Sequence, residues 1–215
     1  MNNYTNEFDN GFVINTSFVE DEVPKVEKTD PKKELVEWLS IIASALIIVV
    51  ILFGFVFRVA VISGDSMKNT LFGGDVVVIT NLNYTPQEGD IVVVSRNAEN
   101  SPESMREENG PIIKRVIATE FQEVNIDFET GVVYVDNTPL NEPYISTPTV
   151  DQYDVQFPVT VPEGCIFVLG DNRSVSLDSR SGRIGEGGMI DTRYVLGHAV
   201  YRVFPFNRMG GLDKK

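Results

Sequence analysis

Residues Pro111–Thr119 read PIIKRVIAT, a run of branched apolar residues with two adjacent cations, Lys114 and Arg115, at its centre. Such a run reads as a strand. Alternation puts Ile112, Lys114 and Val116 on one face and Ile113, Arg115 and Ile117 on the other. Each face therefore carries one cation. Similar runs lie to either side: DVVVIT (Asp75–Thr80), IVVVS (Ile91–Ser95), QEVNID (Gln122–Asp127), GVVYVD (Gly131–Asp136), CIFVLG (Cys165–Gly170) and HAVYRVF (His198–Phe204). Turn signals separate them, among them Gly73–Gly74, Glu88–Gly89–Asp90 and Pro162–Glu163–Gly164. Seven or more short strands, with no long helix after Phe57, predict a mostly β domain over residues 58–215. The polar stretch Asn97–Gly110 is expected to be a loop between two strands.

Before this domain the chain changes character. Trp38–Phe57, WLSIIASALIIVVILFGFVF, is twenty residues without a charge. A helix of that length spans about 30 Å, the thickness of bilayer hydrocarbon. The run is too long, and lies too far from the N-terminus, for a cleaved leader. Lys25, Lys28, Lys32 and Lys33 precede it, whereas Arg58 and then Lys68 follow. That bias predicts a cytoplasmic N-terminus and an extracytoplasmic β domain in a single-pass protein of the cell membrane. Residues 1–37 hold nine acids and four lysines and lack helical periodicity, so a disordered acidic tail is expected.

Composition narrows the function. Lys and Arg total 18 against 31 Asp and Glu, a net charge of −13, which disfavours nucleic acid as a partner. One Cys and one His cannot build a Cys/His zinc site, and no metal or other cofactor is expected. Cys165 is expected to serve as a small buried hydrophobe and His198 to be structural. Hydrolytic chemistry would then need a base other than His. Ser66 lies in VISGDSMKNTL, after the β-like segment Val59–Ile62, where Gly64 permits a tight turn that exposes a side chain and its amides. Lys114, in an apolar strand, could be held neutral by burial and act as a general base. The loop GDNRSVSLDSR (Gly170–Arg180) crowds polar groups together; Asp178 and Arg180 could pair to fix it, and one of its hydroxyls could orient the amine.

SGDSMKNTL, IIKRVIA and GDNRSVSLDSR, in this order behind one membrane span, resemble the motif set of type I bacterial signal peptidases, in particular the single-span Gram-positive type. The resemblance runs from about Lys33 to Pro205. It implies the antiparallel β fold of that family, no cofactor, and an endopeptidase that removes signal peptides from secreted preproteins after small residues, in an A-x-A-like pattern. Ser66 would match the nucleophile, Lys114 the general base and Ser176 the serine that orients it, with Asp178 and Arg180 as a structural ion pair. The Ser66 N–H would help form the oxyanion hole. Ile62, Met67, Leu71, Ile112 and Ile113 would line the substrate pockets. The lipid bilayer and the protein-export machinery are the remaining expected partners. An apolar surface built from Val59, Val61, Phe72 and Phe204–Phe206 would face the membrane.

Two positions depart from the family pattern: Asn69, where Pro is common, which would loosen the turn, and Ser174, where Asp is frequent. The alternatives are a self-cleaving repressor-type protease, a Ser/His signal peptidase, and an inactive membrane-tethered module that binds peptides. The membrane span argues against the first and Lys114 against the second.

Overall fold

The computed structural model describes residues 30–95 and 110–212. Residues 1–29 of the tail expected over 1–37, and most of the loop after Asn97, lie outside the described residues. The chain divides into two compact units, residues 1–44 and 45–215.

Helix α1 spans Pro31–Ile51 and is long and apolar enough to cross a membrane; none of its residues is buried. It begins at Pro31 rather than at Trp38. Asp30 explains the earlier start: its carboxylate accepts from Lys32 N at 3.1 Å, and its carbonyl accepts from Lys33 N at 2.8 Å and Glu34 N at 3.1 Å. Pro31 then fills the first helical position, where its missing N–H costs nothing. The helix also stops earlier than expected. Leu52–Val56 is π-helical, and Phe57 already pairs with Thr80 in a strand.

Among the described residues twelve strands follow: β1 (Phe57–Val61), β2 (Val76–Thr80), β3 (Ile91–Val94), β4 (Ile112–Thr119), β5 (Glu123–Asp127), β6 (Val132–Val135), β7 (Thr138–Pro139), β8 (Val159–Thr160), β9 (Cys165–Leu169), β10 (Ile190–Asp191), β11 (Val195–Phe204) and β12 (Gly210–Gly211). They form two antiparallel sheets. The larger runs β1-β2-β11-β3-β4-β9-β10, with β12 against β11; the smaller runs β7-β6-β5-β8.

The core follows the period-two rule. In β3, Ile91 and Val93 face one apolar cluster with Ile62, Met67, Leu71, Val77, Ile79 and Ile113. Val92 and Val94 face another, with Val116, Ile166, Val168 and Ile190. All four residues of β3 are buried, so this part of the sheet is covered on both faces. Between Val116 and Ala118 the β4–β9 register shifts. Past that irregularity, Ile117 and Ala118 join a third cluster with Val124, Ile126, Val133 and Val135 of the smaller sheet. β4 thus links all three clusters, and the two cations of its N-terminal half are enclosed by them.

Candidate active site

Ser66 sits in a turn that neighbouring backbone holds at both ends. Ile62 N donates to Asp75 O at 2.8 Å, and Gly74 N donates to Ile62 O at 2.9 Å. Gly64 has φ of +82°, a conformation glycine adopts without strain. After Ser66, Thr70 N and Leu71 N both donate to Met67 O, at 3.1 and 2.7 Å, closing a helical turn. Asn172 grips this turn from the opposite loop: its N–H donates to Ser66 O at 2.9 Å, and its side-chain amide donates to Asp65 O at 3.1 Å.

Lys114 is 3% exposed. Its Nζ donates to Ser66 Oγ at 2.9 Å and to Ile113 O at 2.9 Å, both neutral groups. The two side chains share a cleft of about 470 Å³ lined by β1, Ile62, Ser63, Ile79, Val93, Leu196 and the stretch Pro111–Lys114. In the sheet order three strands separate β1 from β4. At about 4.8 Å per strand a flat sheet would hold them nearly 20 Å apart, so the sheet is curled and brings the edge strand around to face β4.

The Gly170–Arg180 loop closes the other side. Asp178 and Arg180 are both fully buried and pair at 2.9 Å. Asp178 also accepts from Gly170 N at 3.1 Å, while Arg180 donates to Arg173 O at 2.6 Å and Ser176 O at 3.2 Å. This ion pair staples the loop to itself, as the sequence suggests. Gly170 is where the loop meets the Ser66 turn. A Cβ built there would lie 2.2 Å from Ser176 Oγ and 2.5 Å from Ser66 O. Ser176 is therefore packed beside the Ser66 backbone, but its buried Oγ makes no hydrogen bond to Lys114 or to any other described residue.

The expected pocket residues divide. Ile62, Ile112 and Ile113 line the cleft. Met67 and Leu71 do not: at 1% and 0% exposed they belong to the core cluster behind it, because the helical turn after Ser66 rolls both side chains inward. Asn69 corrects a second expectation. Its φ is +82°, which the proline ring cannot reach, and its amide donates to Ile145 O at 3.1 Å. The turn is held by a different device and is not loosened. Ser174 hydrogen-bonds Asn172 at 3.2 Å. On the surface, Val59, Val61, Phe204 and Phe206 are all exposed, whereas Phe72 is half-buried under Arg208.

Sequence reasoning missed the brace beneath Ser66 and Lys114. Arg115, 3% exposed, forks onto fully buried Asp171 at 2.8 and 2.7 Å and also donates to Gly89 O at 2.9 Å. Thr70 Oγ1 donates to the same carboxylate. Arg115 further covers the Tyr144 ring at 3.9 Å. Burial, with the Glu142 carboxylate nearby, holds the Tyr144 phenol above its ordinary pKa. Arg173, also fully buried, pairs with Glu142 at 2.5 Å. One signal was present in the sequence: a strand with apolar neighbours on both faces cannot leave Arg115 in water, so the adjacent cation needed a buried acid. Among the described residues, no three His, Cys, Asp or Glu side chains converge to hold a metal.

Comparison with known proteins places the chain in a family. The family described as "Signal peptidase, peptidase S26" matches residues 35–204. A probable signal peptidase I-1 of Synechocystis is 36% identical over 189 residues, 85% of this chain and 89% of that protein. Signal peptidase I of Bacillus licheniformis is 31% identical over 197 residues, 87% of this chain and 98% of its own length. A crystal structure of a signal peptidase I from Enterococcus faecalis aligns at 26% identity with a TM-score of 0.40, covering 54% of this chain and 97% of that one. By the extent of the family match and by these relatives, the chain belongs to the signal peptidase family, peptidase S26.

Proposed function

We propose that Ser66 and Lys114 are the nucleophile and general base with which this member of the signal peptidase family removes signal peptides from secreted preproteins. The observation that carries the reading is the 2.9 Å hydrogen bond between Lys114 Nζ and Ser66 Oγ at the floor of an apolar cleft. Burial disfavours a charged ammonium, which is the physical ground for Lys114 acting as a neutral amine. Ser66 Oγ then attacks the carbonyl carbon of a small residue while Nζ takes its proton. The Ser66 N–H stabilises the oxyanion. Collapse breaks the peptide bond, Lys114 protonates the leaving amine, and the mature chain departs. Lys114 next takes a proton from water, whose oxygen attacks the acyl carbon, and returns that proton to the departing Ser66 Oγ as the signal peptide is freed.

The side chains around the cleft fit this substrate. Ile62, Ile112 and Ile113 leave shallow apolar room suited to small residues before the cleaved bond, and the edge of β1, which among the described residues pairs only with β2, can accept an extended peptide by main-chain pairing. Ser176 supports the site by packing against Gly170. Asp178 and Arg180 hold the loop that carries both. Helix α1 anchors the chain in the membrane, with the N-terminus cytoplasmic and the β domain outside, beside the export machinery that delivers its substrates.

The test is cleavage of a precursor ending its signal in A-x-A by the detergent-solubilised full chain, alongside Ser66→Ala and Lys114→Ala. Cleavage after the last small residue by the wild type alone supports the dyad. A wild type that binds precursor without cutting it replaces the protease with a peptide-binding module.

A further inference from the structure

β1 and the residue after it present a row of same-face side chains that rises from the floor of the cleft to its mouth. Ile62 is 5% exposed, Ala60 is half-buried against the core, and Arg58 is exposed. Arg58 and Lys114 are the charged residue types lining the cleft. Lys114 is engaged with Ser66, whereas the Arg58 guanidinium has no hydrogen bond or ion pair with any described residue. Past Arg58 the groove continues into an adjoining recess of about 160 Å³ that includes Val56, Asn81, Leu82 and Asn83. Among the described residues β1 pairs only with β2, so its outer edge can receive an extended chain.

A peptide on that edge advances about 3.3 Å per residue, and every second side chain faces the same way. With the carbonyl of residue −1 at Ser66, which lies beyond Ile62, the −1 and −3 side chains fall along the Ile62–Ala60 part of the row. Residue −5 comes next, opposite Arg58. We propose that Arg58 is a specificity-determining residue that favours a carboxylate five residues before the cleaved bond and disfavours a cation there. The proposal rests on the dyad reading above. A guanidinium offers a fork of donors to a carboxylate, but at the exposed mouth of a cleft such a pair yields only a few-fold effect.

Three otherwise identical precursors, with Gln, Glu or Lys at −5, test it with the full chain in neutral detergent at low salt. The kcat/KM for Glu is expected about threefold above Gln, and that for Lys about threefold below. Arg58→Ala is expected to bring the three together, Arg58→Glu to reverse their order and Arg58→Lys to keep it, and added salt to shrink the spread. Equal cleavage of all three by the wild type, or an unchanged ranking in Arg58→Ala, overturns the proposal and leaves the dyad standing. Cleavage of none by the wild type sinks both. If Arg58→Ala instead lowers all three rates alike, and only in vesicles containing anionic lipid, the guanidinium serves lipid phosphate and the proposal fails.

Discussion

Gly170→Ala adds one methyl group at the point where the Gly170–Arg180 loop touches the Ser66 turn. Gly170 lies outside the left-handed region, so backbone strain is not the issue and the penalty is steric. The new Cβ would stand 2.2 Å from Ser176 Oγ, 2.5 Å from Ser176 Cβ and 2.5 Å from Ser66 O, where ordinary contact begins near 3.4 Å. Something must therefore move by about 1 Å. Neither wall can give freely: Ser66 O accepts from Asn172 N at 2.9 Å, and Gly170 is held by Asp178 through its N–H and by Arg173 through its carbonyl. Overpacking of this kind costs about 1–3 kcal/mol of stability. A misplacement of about 1 Å at the reacting atoms can cost about 100-fold in rate. Steady-state cleavage of an A-x-A precursor is expected to show kcat down about 100-fold, with a modest drop in Tm. Ser176→Gly in the same chain removes two of the three contacts and is expected to restore part of the loss. Wild-type kcat/KM in Gly170→Ala would refute the reasoning, because the loop would then not fix the position of Ser66.

Three further outcomes follow from the site. Asp171→Asn leaves the buried Arg115 guanidinium without its counter-charge, so thermal or urea unfolding should show a loss of about 3–5 kcal/mol; a change under 1 kcal/mol would contradict the brace. Asn69→Pro places a ring at φ of +82°, which it cannot adopt, and is expected to lower both Tm and activity. The Cys165 thiol is pushed up by burial and by the nearby Asp191 and Glu186 carboxylates, which leaves less thiolate at a given pH. Alkylation of Cys165 at pH 8 should run slower than that of free cysteine and rise as pH increases, and a faster rate would contradict that environment.

The larger strands were legible because each carries its own signal. DVVVIT, IVVVS and PIIKRVIAT each became a strand, since branched residues between turn residues satisfy the pleat locally. Two-residue strands such as β7, β8 and β10 carry no such pattern and arise from pairing with a longer partner. The helix start at Asp30–Pro31 was written in the sequence as a cap, but it lay inside a stretch dominated by charge. Ser66 and Lys114 could be picked out as anomalous in their surroundings; their 2.9 Å approach depends on the curl of a sheet that no local pattern encodes. Met67 and Leu71 illustrate the same limit. Their nearness to Ser66 in the chain suggested pocket lining, and the direction of one helical turn sent them into the core. The pairing of Arg115 with Asp171 joins positions far apart in the chain, and only the fold brings them together.

The central claim is that an amine buried at position 114 loses its proton readily enough to activate Ser66. The pH dependence of kcat/KM for the full chain on a neutral precursor tests it most directly. The account predicts an acid limb governed by one group with its midpoint far below the value of about 10.4 for a free lysine, and no cleavage at any pH by Lys114→Arg, whose guanidinium stays charged. Activity that climbs only as pH passes through the ordinary lysine range, or persists in Lys114→Arg, would contradict it.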